Sequence, residues 1–229
     1  MPKKIIAFAV ILLTICWVGN SSASMVSFLG NNGAENLGSF SGYISYTAND
    51  SQTATLTIEL TNTSPAATGG YLTAFAFNNP NNDITGVSLA TTPGNAFQLV
   101  GAPGFRNGIS ASPYGNFDIG ASISRDFLGG GNPKAGIAPG QSVSFTFALS
   151  GAHLDDLTWL SFVNELSDRS KESQFFAARF RGFNNGGSDK VPGFIHDPVN
   201  ATPTPLPSTL ALMGPALVGL AAFRRLRRP

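Results

Sequence analysis

Residues Thr53 to Thr61 read TATLTIELT, so that Ala54, Leu56, Ile58 and Leu60 alternate with Thr55, Thr57 and Glu59. A period of two sustained over nine residues gives a strand with one buried face and one wet face, a pattern that a helix of 3.6 residues per turn scatters around its axis. The run stops at NTSP, where Pro65 has no N–H to donate to a ladder. A second run of the same kind is Ser142 to Ser150, SVSFTFALS, with Val143, Phe145, Phe147 and Leu149 on one face. It follows APGQ, in which Pro139 and Gly140 suit the centre of a type II turn.

Shorter strand candidates are Phe40 to Thr47, Tyr71 to Phe77, Ile84 to Ala90, Phe97 to Val100, Phe117 to Ile123, Leu157 to Val163 and Phe175 to Phe183. In the last, Phe176, Ala178 and Phe180 are expected to face inward and Arg179 and Arg181 outward. Strands of this length separated by Gly, Asn and Pro turns, with no long amphipathic helix, predict an all-β domain over residues 24–196. The expected architecture is an antiparallel β-sandwich, jelly-roll or Ig-like, with a closed barrel as the competing arrangement.

The two ends have a different character. The start, MPKKIIAFAVILLTICWVGNSSASMV, carries Lys3 and Lys4, then an apolar stretch from Ile5 to Val18, then small residues, which reads as a signal peptide over 1–23 cleaved after Ala23. That reading makes signal peptidase and the Sec machinery partners of the chain. Cys16 is the single cysteine and lies inside this segment, so the mature chain has neither a disulfide nor a thiolate ligand. Only 12% of residues are charged, about half the usual share. Between Ser24 and Val199 eight bases face 13 acids, a net charge of −5. A mildly acidic middle argues against nucleic acid as a partner, since phosphate binding needs clustered Lys and Arg.

At the other end, DPVNATPTPLP over residues 197–207 reads as an extended proline-rich linker. Ser208 suits a helix N-cap, and Thr209 to Phe223 is a 15-residue stretch without charge. A transmembrane helix over about 208–223 is expected. At about 1.5 Å per residue the uncharged stretch gives about 22 Å of helix, short of the roughly 30 Å hydrocarbon layer unless the helix extends and the bilayer thins. Arg224, Arg225, Arg227 and Arg228 follow as a cytoplasmic basic stop over 224–228.

Taken together, Pro205, Leu206 and Pro207, the short apolar stretch and the terminal arginines resemble the PEP-CTERM sorting signal of Gram-negative bacteria, here over 205–229. Leu206 stands where the usual motif has glutamate. The resemblance implies recognition by a membrane-embedded exosortase, cleavage near the proline motif and secretion into a polysaccharide-rich matrix. Localisation is accordingly expected to pass through an inner-membrane intermediate to the cell surface or extracellular matrix. An unprocessed C-terminal anchor is the alternative, although such anchors are usually nearer 20 apolar residues.

Within the domain the chemistry is sparse. The chain has two histidines, His153 and His196, and HLDDL places His153 beside Asp155 and Asp156. A hydrolase would have to draw its acid/base pair from these three, whereas a lone histidine among loop acids is more often solvated surface. No G-x-S-x-G elbow occurs, since GISAS at Gly108 to Ser112 ends in serine. GGGNPKAG at Gly129 to Gly136 lacks the Gly-Lys-Ser/Thr of a phosphate loop.

Asn79, Asn81 and Asp83 alternate like the start of a calcium loop, but Ile84 and Ala90 stand where an EF-hand needs Gly and Glu. Asp189 is the one carboxylate of NNGGSDK. Loop-building Asn and Gly account for both clusters, and a structural calcium bridging separate loops is the alternative. No other cofactor is expected. Arg179 and Arg181 are candidate glycan contacts, with edge-strand protection as the simpler role. The function expected from all this is that of a non-catalytic, exported matrix protein associated with exopolysaccharide, with a glycan-binding module as the alternative.

Overall fold

The structure is a computed structural model that describes residues 24–92 and 94–196. The expected signal peptide with Ala23, the linker, Pro205, Leu206, Pro207, the apolar stretch and the four terminal arginines lie outside the described residues. In chain order the strands are β1 (Ser24–Gly30), β2 (Phe40–Ala48), β3 (Thr53–Asn62), β4 (Gly69–Phe77), β5 (Ile84–Thr91), β6 (Gln98–Val100), β7 (Ile109–Ser110), β8 (Asn116–Phe117) and β9 (Ile119–Ser122). They are followed by β10 (Ser142–Gly151), β11 (Phe176–Phe183), β12 (Ser188–Pro192) and β13 (Phe194–Ile195), with a short helix, α1 (Trp159–Asn164), before β11.

The strands make a larger sheet in the order β13-β1-β2-β3-β10-β5, a smaller one in the order β12-β11-β4-β9-β6, and a hairpin of β7 with β8. Every ladder is antiparallel. Among the described residues both main sheets end in free edges. The chain is therefore two packed layers and not a closed barrel.

The two strongest sequence runs lie side by side at the centre of the larger sheet, paired from Ser142 opposite Thr61 to Ser150 opposite Thr53. Ala54, Leu56, Ile58 and Leu60 on β3, with Val143, Phe145, Phe147 and Leu149 on β10, are all buried against the smaller sheet. The layers meet through phenylalanines. Phe75 of β4 lies 4.6 Å from Phe145, Phe77 lies 5.1 Å from Phe147, and Phe176 of β11 lies 4.8 Å from Phe28 of β1, all edge to face. That geometry sets the positive ring edge of one phenylalanine against the negative face of the next.

Three expected strands come out differently. Phe117 to Ile123 is broken at Asp118, which leaves β8 on one side and β9 on the other, because the Asp118 carboxylate accepts from the backbone N–H groups of Asn79 and Asn107. The run from Phe97 is reduced to the three residues of β6. Leu157 to Val163 is no strand; a 3-10 turn at Leu154–Asp156 leads into α1. The Thr158 N–H donates to Ser161 Oγ at 3.1 Å, which opens the helix, and the adjacent Phe162 and Val163 are both buried. A strand with one wet face cannot bury two neighbours in succession, whereas a short helical turn does so readily. Tyr46 Oη donates to the Leu154 carbonyl at 2.6 Å and ties this segment to the larger sheet. Among the described residues no helix is long and apolar enough to cross a membrane.

Candidate ligand-binding face

On the side of the smaller sheet away from the phenylalanine core, the outward residues of β4 and β11 begin with Ala74, Ala76 and Ala177. Such small side chains leave room for a cover. Val100, Ile109, Ala111, Tyr114, Phe117 and Phe127 supply it, forming a second buried cluster with the three alanines. The cover comes from the segments after β6 and after β9. The first leaves the sheet at Gly101, whose φ of +101° suits glycine and whose position against the Asp118 carbonyl leaves no space for a Cβ.

Further along the same face stand Arg179 and Arg181, alternating with the buried Ala178 and Phe180 as the sequence suggests. The bulge opposite them lies on β4, where Thr73 is left unpaired between Leu72 and Ala74, so the alternation of β11 runs on without a break. The Thr73 hydroxyl donates to the Arg179 carbonyl there at 3.2 Å. Arg181 Nη1 donates to the carbonyls of Gly129 and Gly130, at 2.9 and 2.8 Å, and so holds the loop after β9.

A third cation was not visible in the sequence. Lys190 of β12 pairs directly with Arg179 across the ladder, and its Nζ donates to the Ser112 carbonyl. All three side chains are partly buried, while Arg106, Arg125, Lys134, Arg169 and Lys171 are exposed. Burial, then the neighbouring Arg181, lowers the pKa of Arg179; Asp126 partly offsets this. Burial, then Arg179, lowers that of Lys190. Arg179 Nε is buried with no hydrogen-bond partner.

A polar cleft of about 310 Å³ opens elsewhere, where the loops after β4, β6 and α1 meet. Asp118 lies at its base, and burial is the main cause that raises its pKa, against the two backbone N–H groups that lower it. The remaining polar groups are largely spent on one another. Arg106 Nε donates to Asn82 Oδ1 and Asn107 Nδ2 to Asp168 Oδ2, each at 2.7 Å. Hydrogen bonds of this kind fix loops; none leaves an acid and a base aimed at a common point.

The other candidates have local roles. His153 sits in a left-handed turn with φ of 55°, largely exposed, its Nδ1 3.9 Å from an equally exposed Asp156; Asp155 is exposed too. Asn79 is buried, its Nδ2 donating to the Ile84 and Phe105 carbonyls at 2.8 and 3.2 Å while its Oδ1 accepts from the Ile84 N–H. It therefore closes its own turn, and Asn81 adopts a φ of 54° within it. Asp189 is buried, and its carboxylate accepts from the N–H groups of Glu35, Leu37 and Gly38 at 2.9, 2.8 and 3.0 Å, which shapes the loop between β1 and β2. Among the described residues no group of three His, Cys, Asp or Glu side chains is arranged to hold a metal ion. Compared with known proteins, the chain matches no family model and no curated relative.

Proposed function

We propose that this is an exported, non-catalytic protein of the cell surface or extracellular matrix, processed by an exosortase and associated with exopolysaccharide. The observation that carries the reading is the order of parts at the C-terminus: Pro205, Leu206 and Pro207, then 15 uncharged residues, then four arginines within the last six positions. A stretch this short is easier to understand as a removable address than as a lasting anchor. The jelly-roll or Ig-like topology, the signal peptide and the membrane helix belong to the same proposal.

The structure is compatible with removal of the tail. Among the described residues the last strand is β13, seated on β1 through Leu29 opposite Phe194 and Phe28 opposite Ile195, so a cut beyond residue 205 removes none of the described strands. The intact mass of the protein from its native host, in separate membrane and medium fractions, tests the reading. A released form ending between Pro205 and Ala211 is expected. Full-length material confined to membranes, with Arg228 and Pro229 still present, would make the chain a permanent surface anchor instead.

Arg179 and Arg181 remain the glycan contacts within this proposal, favoured by their place side by side on one face and by their partial burial. The hydrolase alternative has only His153, Asp155 and Asp156 to draw on, all exposed on one turn and outside any cleft described above.

A further inference from the structure

The distribution of positive charge over the domain is uneven in a way that composition hides. Five of the eight bases in the middle of the chain project into water, and the three that do not stand together on the outer face of β11 and β12. Arg179 and Lys190 are directly opposed across an antiparallel ladder, an arrangement that is destabilising for like charges. Arg181 is two residues along the same strand. Partial burial makes the repulsion worse, because less water is present to screen it.

The protein does little to neutralise this. Among the described residues no carboxylate comes within 4.0 Å of Arg179, Arg181 or Lys190; the one close contact between opposite charges is the exposed His153–Asp156 pair. Asp189, next to Lys190 in sequence, is buried and engaged with the β1–β2 loop. Arg181 and Lys190 are satisfied only by neutral carbonyls, one from the Gly129–Gly130 loop and the other from Ser112. These contacts tie the two flanking cations to two different covering loops, and Arg179 keeps a buried Nε with nothing to donate to.

Three partly buried cations with carbonyl support, and with no carboxylate in contact to neutralise them, are a site for an oxyanion. We propose that Arg179, flanked by Arg181 and Lys190, binds a carboxylate, sulfate or phosphate group, and that the ligand is an acidic polysaccharide. The choice of a polysaccharide rests on the matrix association proposed above; the choice of an anion rests on the charges alone. A guanidinium presents paired donors that match an oxyanion's oxygens, and binding would place a negative charge in contact with cations that no carboxylate touches.

The test is equilibrium binding of the protein recovered from its host to polygalacturonate, to dextran as an uncharged polymer, and to inorganic phosphate. Polygalacturonate is expected to bind, dextran to bind at least about tenfold more weakly, and rising salt to weaken the former, since release of counterions drives it. Arg179→Gln and Lys190→Gln should each weaken polygalacturonate binding by about tenfold, the loss of one charge-assisted hydrogen bond. Without ligand, the denaturation midpoint of Arg179→Gln should equal or exceed that of the parent, because a like-charge repulsion has been removed. A merely structural arginine would lower it.

Equal binding of dextran and polygalacturonate would overturn the anion site while leaving a glycan-associated protein. Unchanged affinity in both variants would overturn it as well. Binding of phosphate with none of either polymer would overturn the polysaccharide as ligand. None of these results bears on the C-terminal mass, so the two proposals fail separately.

Discussion

The two sheets share one aromatic core and present very different outer faces. On the larger sheet the outward residues of β3 and β10 include Thr55, Thr57, Thr61, Ser144 and Thr146, Met25 and Tyr43 are exposed on the neighbouring strands, and Glu59 is the only charged residue in any of its six strands. On the smaller sheet the outward positions run from Ala74, Ala76 and Ala177 under a second cluster to Arg179, Arg181 and Lys190. Side-chain size separates the two cases. A row of hydroxyl-bearing residues, most of them β-branched threonines, leaves little need for a cover, whereas a row of alanines offers a shallow floor onto which loops can bury Tyr114, Phe117 and Phe127. Binding groups then collect where the floor gives way to longer side chains.

Three substitutions sharpen or break this comparison. Phe75→Ala, in the shared core and fully buried against Phe145, Phe147 and Phe176, should cost about 3–5 kcal/mol in urea denaturation. Ala76→Leu faces the other way, into the second cluster. Overpacking there should cost about 1–3 kcal/mol, with faster amide exchange in the covering loops than in the sheet. If Ala76→Leu matches Phe75→Ala in cost and opens the whole domain, the cover is part of the main cooperative unit and the contrast between the faces is weaker than described. Thr57→Lys, on the uncovered face of the larger sheet, should change stability by no more than about 0.5 kcal/mol. A larger loss there would mean that something rests on that face.

How far the sequence revealed this depends on what each residue's role requires. Alternation was enough for β3 and β10, because one residue in two must be apolar whatever lies opposite. It also placed Phe176, Ala178 and Phe180 inward. It failed at Leu157 to Val163, where an apolar run is equally compatible with a helical turn, and the choice falls to the cap at Thr158 and to packing against Tyr46. It was silent on β12, whose Ser-Asp-Lys-Val-Pro has a charged pair and a proline and gains strand character only from its partner β11.

The candidate site was half legible for the same reason. Arg179 and Arg181 stand on one strand and share a face by spacing. Lys190 joins them only through register, a fact of the tertiary fold, and the shortage of carboxylates around all three can be recognised only once every neighbour has been placed. Asp189 stood in an Asn- and Gly-rich segment, and Asp118 lay unremarked inside an expected strand. Both are buried, and their oxygens are committed to backbone N–H groups, which sequence spacing does not reveal.

β13 has a mechanical consequence. It is an edge strand held by two paired positions, by the Ser27 hydroxyl bonded to the His196 carbonyl at 2.5 Å, and by the His196 N–H bonded to the Ser27 carbonyl at 3.2 Å. Tension applied beyond His196 would load these bonds one after another, as a zipper opens, and would not load them together in shear. A pull on the chain from that side would therefore peel two residues from the edge at low force and leave β1 paired with β2 along seven residues, so that β13 serves as a fuse between an outside load and the aromatic core.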